Sequence, residues 1–289
     1  MTIAVVGATG NTGRAVVKEL RELGQEPLCV VRNAEKAREV LGAGAKIAVA
    51  ELTDRAALEK ALTGAASVFL VTGHNPQMGE QQANVIDAAA AAGAKHLVRL
   101  SSGRAVAATD SPTAIGRAHH AVDEKLRNGK IGWTILRPGL FMQNLMAQAA
   151  LIKGEGKMVM PFAADFPLAF IDVRDTAAVA APILLDPTPH AGKAYEFTGA
   201  ATSCGAFAAA FSQVLGRNIA YVEVTPEQNE QAMKARGMPD WLVAHLVGIA
   251  RIGRAGGFST ENTKAIRDIA KRAPLTTRQF VEDYKAAFS

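Results

Sequence analysis

Short apolar runs alternate with longer amphipathic ones through the first half of the chain. Ile3–Gly7 (IAVVG) is apolar and stops at a glycine, the pattern of a buried parallel strand. Asn11–Leu23 follows with Val16, Val17, Leu20 and Leu23 on one face and Gly24 behind it, a spacing that predicts a helix and its end. The same alternation continues downstream. Strands are predicted over Pro27–Val31, Ala45–Ala50, Ser67–Thr72, His96–Ser102 and Gly132–Pro138. Helices are predicted over Ala34–Leu41, Asp54–Leu62, Gln77–Ala92 and Ser111–Arg127, with Pro112 in the first turn of the last.

Strands that alternate with helices across short connections build an α/β fold: a doubly wound parallel sheet of Rossmann type, with right-handed crossovers. The regularity weakens after Pro138. Leu140–Ile152, Asp175–Leu185 and Ser203–Leu215 read as helices, Lys157–Phe162, Lys193–Gly199 and Ile219–Thr225 as strands, and the tail from Pro226 as mostly helical. The expected organisation is a core domain over residues 1–150 and a smaller mixed C-terminal lobe over 151–289, with some segments returning to the sheet.

The stretch GATGNTG, Gly7–Gly13, joins the first strand to the first helix. Gly7 suits a tight turn, Gly10 a close approach to a pyrophosphate, and Gly13 tight helix–strand packing. The helix N-terminus offers amide groups and partial positive charge to an anion. Thr9, Asn11 and Thr12 belong to the same turn. At the end of the second strand, about 20 residues further on, this fold reads the adenosine ribose. An acidic residue there suits a free 2′-hydroxyl. Here the residue is Arg32, followed by Asn33, which favours a 2′-phosphate and so NADP(H). Lys36 and Arg14 are placed to assist. Val71 and Thr72 end the fourth strand and Gly73 and His74 follow it, where the nicotinamide half is expected.

Composition alters this reading little. The 289 residues are 49% apolar, and 32 Lys and Arg against 27 Asp and Glu leave a net charge of +5. No basic block concentrates it, so nucleic acid is not an expected partner, although an anionic ligand is compatible. No apolar stretch is long enough to span a bilayer, and no basic leader precedes the first strand, so a cytoplasmic protein is expected. Cys29 and Cys204 form no pair motif and are expected to be reduced thiols. No cluster has metal-ligand spacing, so no metal is expected. Ser101 and Ser102 lack a nucleophile elbow. The acidic residues flanking Arg174 in FIDVRD suggest a structural ion pair.

GATGNTG, VVRN, HHAVDEKL, WTILRPGLFMQN (Trp133–Asn144) and LTTRQFVEDYKAAF (Leu275–Phe288), in that order, resemble the NmrA-like group of atypical short-chain dehydrogenases/reductases. That group includes quinone oxidoreductases, triphenylmethane reductases and a non-catalytic regulator. The resemblance implies an NADPH-dependent reductase of a quinone-like or other planar aromatic acceptor. A dinucleotide sensor acting on a protein partner is the alternative.

The short-chain dehydrogenase pair Tyr-x-x-x-Lys is missing from the helix AIGRAHHAVDEKL. Gly116 falls where the tyrosine would be and His120 where the lysine would be, with Glu124 one turn on. By phase His120 rather than His119 should face inward, either as a ribose contact or proton relay or as a residue bonded to Glu124. Ser102 matches the superfamily serine loosely. Pro138 should pack on the cofactor, while Phe141, Asn144 and Phe162 should line the acceptor site. A homodimer stays open, because a dimerising helix face reads like any packing face.

Overall fold

The computed structural model describes residues 2–289. The chain runs through β1 (Thr2–Val6), α1 (Asn11–Glu22), β2 (Leu28–Val31), α2 (Ala34–Leu41), β3 (Lys46–Val49), α3 (Arg55–Leu62), β4 (Ala65–Leu70), α4 (Met78–Ala91), β5 (His96–Leu100), α5 (Ala114–Arg127) and β6 (Gly132–Pro138). All pairings among these strands are parallel. With β10 (Lys193–Phe197) at one edge, they form a 7-stranded sheet in the order β10-β6-β5-β4-β1-β2-β3. The strand order reverses between β1 and β4, the switch point where doubly wound folds bind ligands beyond the strand C-termini.

The helices cover this sheet as the apolar stripes dictate. Ala4, Val6, Val68, Leu70 and Leu97 pack with Leu58 and Leu62 of α3, Val85 and Ile86 of α4, and Val122 and Leu126 of α5. By strand alternation Ile3 and Val5, also buried, point the opposite way. Helix α1 packs against α7 (Val173–Leu185). Asn33, Asp54 and Thr113 cap α2, α3 and α5 by accepting the N–H of Lys36, Ala57 and Gly116. Thr113 starts α5 two residues later than the sequence suggests, so Pro112 precedes the cap instead of occupying the first turn.

The chain divides into two compact units, but not by one cut near residue 150. Among the described residues the first comprises 2–138, 173–196 and 265–272, and the second 139–172, 197–264 and 273–289. In the first unit buried Asp175 accepts from Arg272, a residue of a distant segment, at 2.5 Å.

The second unit holds β7 (Leu140–Phe141), α6 (Ala149–Glu155), β8 (Lys157–Met160), β9 (Phe170–Ile171), α8 (Cys204–Leu215), β11 (Ala220–Glu223), α9 (Pro226–Ala235), α10 (Asp240–Arg254), α12 (Thr277–Asp283) and α13 (Lys285–Phe288), while α11 (Lys264–Ile269) belongs to the first unit from Ala265 on. Its core gathers Phe162, Phe170, Phe207, Phe211, Phe280 and Phe288. The helix expected over Leu140–Ile152 starts as strand and 3-10 turn. Leu140 and Phe141 pair with Phe170 and Ile171, and Gly139 donates to the Phe197 carbonyl, so strand pairing overrides local helical pattern. No helix among the described residues is long and apolar enough to cross a membrane.

Candidate active site

At the switch point, Gly7 leaves β1 with φ +81°, and a β-carbon there would stand 2.0 Å from the Val71 carbonyl oxygen. A β-carbon at Gly13 would stand 2.1 Å from the Gly7 carbonyl oxygen. Both glycines are therefore demanded by the protein's own packing. Gly10 differs: it is exposed, and a β-carbon there would meet only the Gly7 oxygen at 3.5 Å, an ordinary contact. The fold does not need glycine at this position. The bare backbone at Gly10 leaves this face of the turn open to solvent. The first helical bond runs from Arg14 N–H to the Gly10 carbonyl at 2.8 Å, which leaves the amides of Asn11, Thr12 and Gly13 upstream of the ladder, as an anion site requires.

Thr9 is half-buried, Thr12 buried and Asn11 exposed, its side-chain oxygen accepting from Arg14 Nη2 at 2.8 Å. Arg32 is exposed just beyond β2, and Asn33 and Lys36 lie exposed beside it at the start of α2. These cations can meet a 2′-phosphate without losing a buried partner.

Opposite the glycine turn, Val71–Asn75 continues β4 as a loop. Thr72 Oγ1 accepts from Gln82 Nε2 at 2.8 Å. His74 is exposed as a residue, yet desolvation of its ring lowers its pKa, and its Nε2 lies 3.4 Å from His119 Nε2. Behind these groups lies a polar network within the first unit. Arg99, in the middle of β5 and fully buried, donates from Nε to Gln82 at 2.8 Å, from Nη1 to Asp123, and from Nη2 to His119 Nδ1 at 3.0 Å. Asp123 also accepts from Ser101 Oγ at 3.0 Å and from Arg137 Nη2 at 2.5 Å. Burial pulls the Arg99 guanidinium down to about 10, so it remains charged at neutral pH.

The structure corrects the sequence reading of α5. His119 is the buried histidine, 4% exposed, while His120 is half-buried. His119 sits in the buried stripe Ile115, His119, Val122 and Leu126, whose spacing of four, three and four residues is one helix face. Glu124 is held by Arg127 at 2.6 Å rather than by His120. Ser101, not Ser102, enters the network; Ser102 is half-buried in the loop after β5. At Gly116 a β-carbon would lie 2.1 Å from Ser111 Oγ and 2.4 Å from the Val106 carbonyl oxygen, so α5 has no room for a side chain there.

The polar signal that sequence reasoning passed over was Arg99 itself. A guanidinium inside the apolar run HLVRL demands a buried carboxylate, and Asp123 was available on the following helix.

Pro138 is buried at the end of β6. Phe141, Asn144 and Phe162 belong to the second unit. Phe141 is half-buried, Asn144 exposed, and Phe162 is core, its carbonyl accepting from the Tyr221 hydroxyl at 2.5 Å. Phe162 is thus a packing residue, also lying where a β-carbon on Gly253 would strike it at 2.4 Å. Cys29 and Cys204 are buried and unpaired, and burial pushes both thiols up to about 11. Among the described residues no group of three or more metal-ligating side chains is gathered.

A doubly wound sheet with a ligand-shaped glycine turn at its switch point defines a Rossmann-type dinucleotide-binding protein. The chain belongs to the NmrA-like family, whose model matches residues 1–278. It is 41% identical to the NAD(P)H azoreductase of Xenophilus azovorans, over 99% of both chains. It is 29% identical to quinone oxidoreductase 2 of Escherichia coli strain K12, over 95% of both. A solved Escherichia coli NADPH-dependent quinone oxidoreductase complexed with NADPH superimposes with a TM-score of 0.85 at 28% identity, covering 98% of this chain and 99% of the other.

Proposed function

We propose that this chain transfers hydride from NADPH to a quinone or another planar aromatic acceptor, azo dyes included. The protein is an NAD(P)H-dependent reductase, as its relatives are. NADPH supplies the hydride when bound. The chain's own residues hold and orient it: the bare Gly10 face and the amides opening α1 take the pyrophosphate, and Arg32, with Arg14 and Lys36 near, takes the 2′-phosphate. Val71–His74 borders the same turn.

The observation that carries the choice of acceptor is Gly116. The superfamily's proton-donating tyrosine falls there by helix phase, and the packing around it admits no side chain. Reduction of an isolated ketone needs such an acid as charge builds on oxygen. A quinone, azo group or cationic dye spreads or accepts that charge over a conjugated system and depends on it less. The reductase names of the relatives weigh against the non-catalytic sensor reading.

NADPH absorbance followed with a panel of quinones, azo dyes, triphenylmethane dyes and aliphatic ketones tests this. Saturable oxidation with planar acceptors and none with aliphatic ketones is expected. Tight NADPH binding without turnover on any acceptor would overturn it.

A further inference from the structure

The buried network of the first unit is short of negative charge. Arg99 on β5 and Arg137 on β6 share one carboxylate, Asp123 on α5, and Arg137 Nε is buried without a hydrogen-bond partner. The side chain placed to correct this is Gln82 on α4. It is 1% exposed, and its Oε1 accepts from Arg99 Nε at 2.8 Å. A glutamate of the same shape would accept that bond and bring the second carboxylate that two buried guanidiniums call for. Charge balance alone therefore favours Glu at this position, and the chain holds the neutral amide.

What Gln has and Glu lacks is an NH2 group. A guanidinium only donates, so the amide oxygen must face Arg99, and the orientation of the amide follows. Its nitrogen then donates to Thr72 Oγ1 at 2.8 Å. A hydroxyl carries one hydrogen and two lone pairs. Thr72 accepts from Gln82 through a lone pair, and among the described residues no protein group accepts its hydrogen. A glutamate would invert this contact: the second carboxylate oxygen would accept the Thr72 hydrogen and turn it back toward the core.

Thr72 is half-buried just past the end of β4. Its neighbour Val71 abuts the glycine turn, with its carbonyl oxygen 2.0 Å from where a β-carbon on Gly7 would stand. The hydroxyl hydrogen is thus held ready beside the switch point, where doubly wound folds take their ligands.

We propose that Gln82 is a positioning residue, kept as a neutral amide so that the Thr72 hydroxyl donates to an acceptor oxygen of the bound dinucleotide. Arg99 orients the amide, the amide orients the hydroxyl, and the hydroxyl meets the ligand. This rests on the reading that a nicotinamide dinucleotide binds beside the glycine turn.

Calorimetric titration with NADPH, paired with thermal melts of the unliganded protein, tests it. Gln82→Glu should melt at or above the wild-type temperature yet bind NADPH roughly tenfold more weakly, the worth of one lost hydrogen bond. Thr72→Val should show the same loss, and Thr72→Ser, which keeps the hydroxyl, should recover most of it. Because both changes remove one donor, the double variant Gln82→Glu/Thr72→Val should bind no more weakly than either single variant. A merely structural Gln82 would instead give losses that add. Additive losses, a lowered melting temperature in Gln82→Glu, or wild-type affinity in Thr72→Val would each overturn the proposal while leaving dinucleotide binding in place. A wild-type protein that binds no NADPH would overturn the underlying reading as well.

Discussion

Arg99 and Asp123 meet between β5 and α5 with neither side chain reached by solvent. Asp123 is the only carboxylate seen on both Arg99 and Arg137 among the described residues, so its removal strands two buried guanidiniums. Asp123→Ala should cost about 3–5 kcal/mol of stability, the range for breaking a buried ion pair from one side. Urea unfolding followed by circular dichroism checks this. A loss below about 1 kcal/mol, the size of an exposed pair, would show that the network is wetter than its geometry implies.

The glycine turn makes a sharper, paired prediction. Gly10→Ala meets nothing closer than 3.5 Å and has ordinary backbone geometry, so folding stability should stay within about 0.5 kcal/mol while NADPH affinity falls. Gly7→Ala places a methyl 2.0 Å from the Val71 oxygen at φ +81° and should destabilise the fold itself. Thermal melts with and without NADPH separate the two. Equal melting losses in both variants would show that Gly10 serves packing rather than a ligand.

Arg32 should discriminate between cofactors. Its exposed guanidinium is not tied into the core, so Arg32→Ala should leave the fold intact. NADPH binding should weaken roughly 10- to 100-fold, the worth of about 1.5–3 kcal/mol for a charge-assisted bond, with NADH binding nearly unchanged. Calorimetric titration of both nucleotides checks it, and equal losses would place the 2′-phosphate elsewhere.

The features legible in the sequence are those governed by local rules. The six parallel strands follow from short apolar runs, and Gly7 and Gly13 from the turn they build. Long-range partners were not legible. His119 and His120 differ by one helical step, and only the arrival of Arg99 from β5 and the stripe from Ile115 to Leu126 decide which is buried. Leu140–Phe141 has helical neighbours in sequence, but its backbone pairs with Phe170–Ile171, almost 30 residues away. Asp175 and Arg272 are separated by nearly a hundred positions. In these three cases a contact distant in sequence overrides a local preference.

His96, at the start of β5, sets the last prediction, on pH. It is 3% exposed, and its Nε2 is 2.9 Å from Thr134 Oγ1. The Thr134 hydroxyl donates to the His190 carbonyl at 2.8 Å, so it accepts from the neutral His96 ring. Burial, helped by the charge of nearby His190, lowers the His96 pKa from its usual 6.5 to about 4. Between those values the unfolded chain binds a proton that the folded chain refuses. Stability should therefore be fully present above 6.5, fall as pH drops toward 4, and level off below, for a total of about 3 kcal/mol from this residue. Burial also lowers the His190 pKa, so the slope must be read as a difference. His96→Gln keeps a donor for Thr134 and cannot titrate. Urea unfolding at pH values across this window should show a shallower decline for His96→Gln than for the wild type, and parallel curves would mean that the ring takes up its proton within the folded protein.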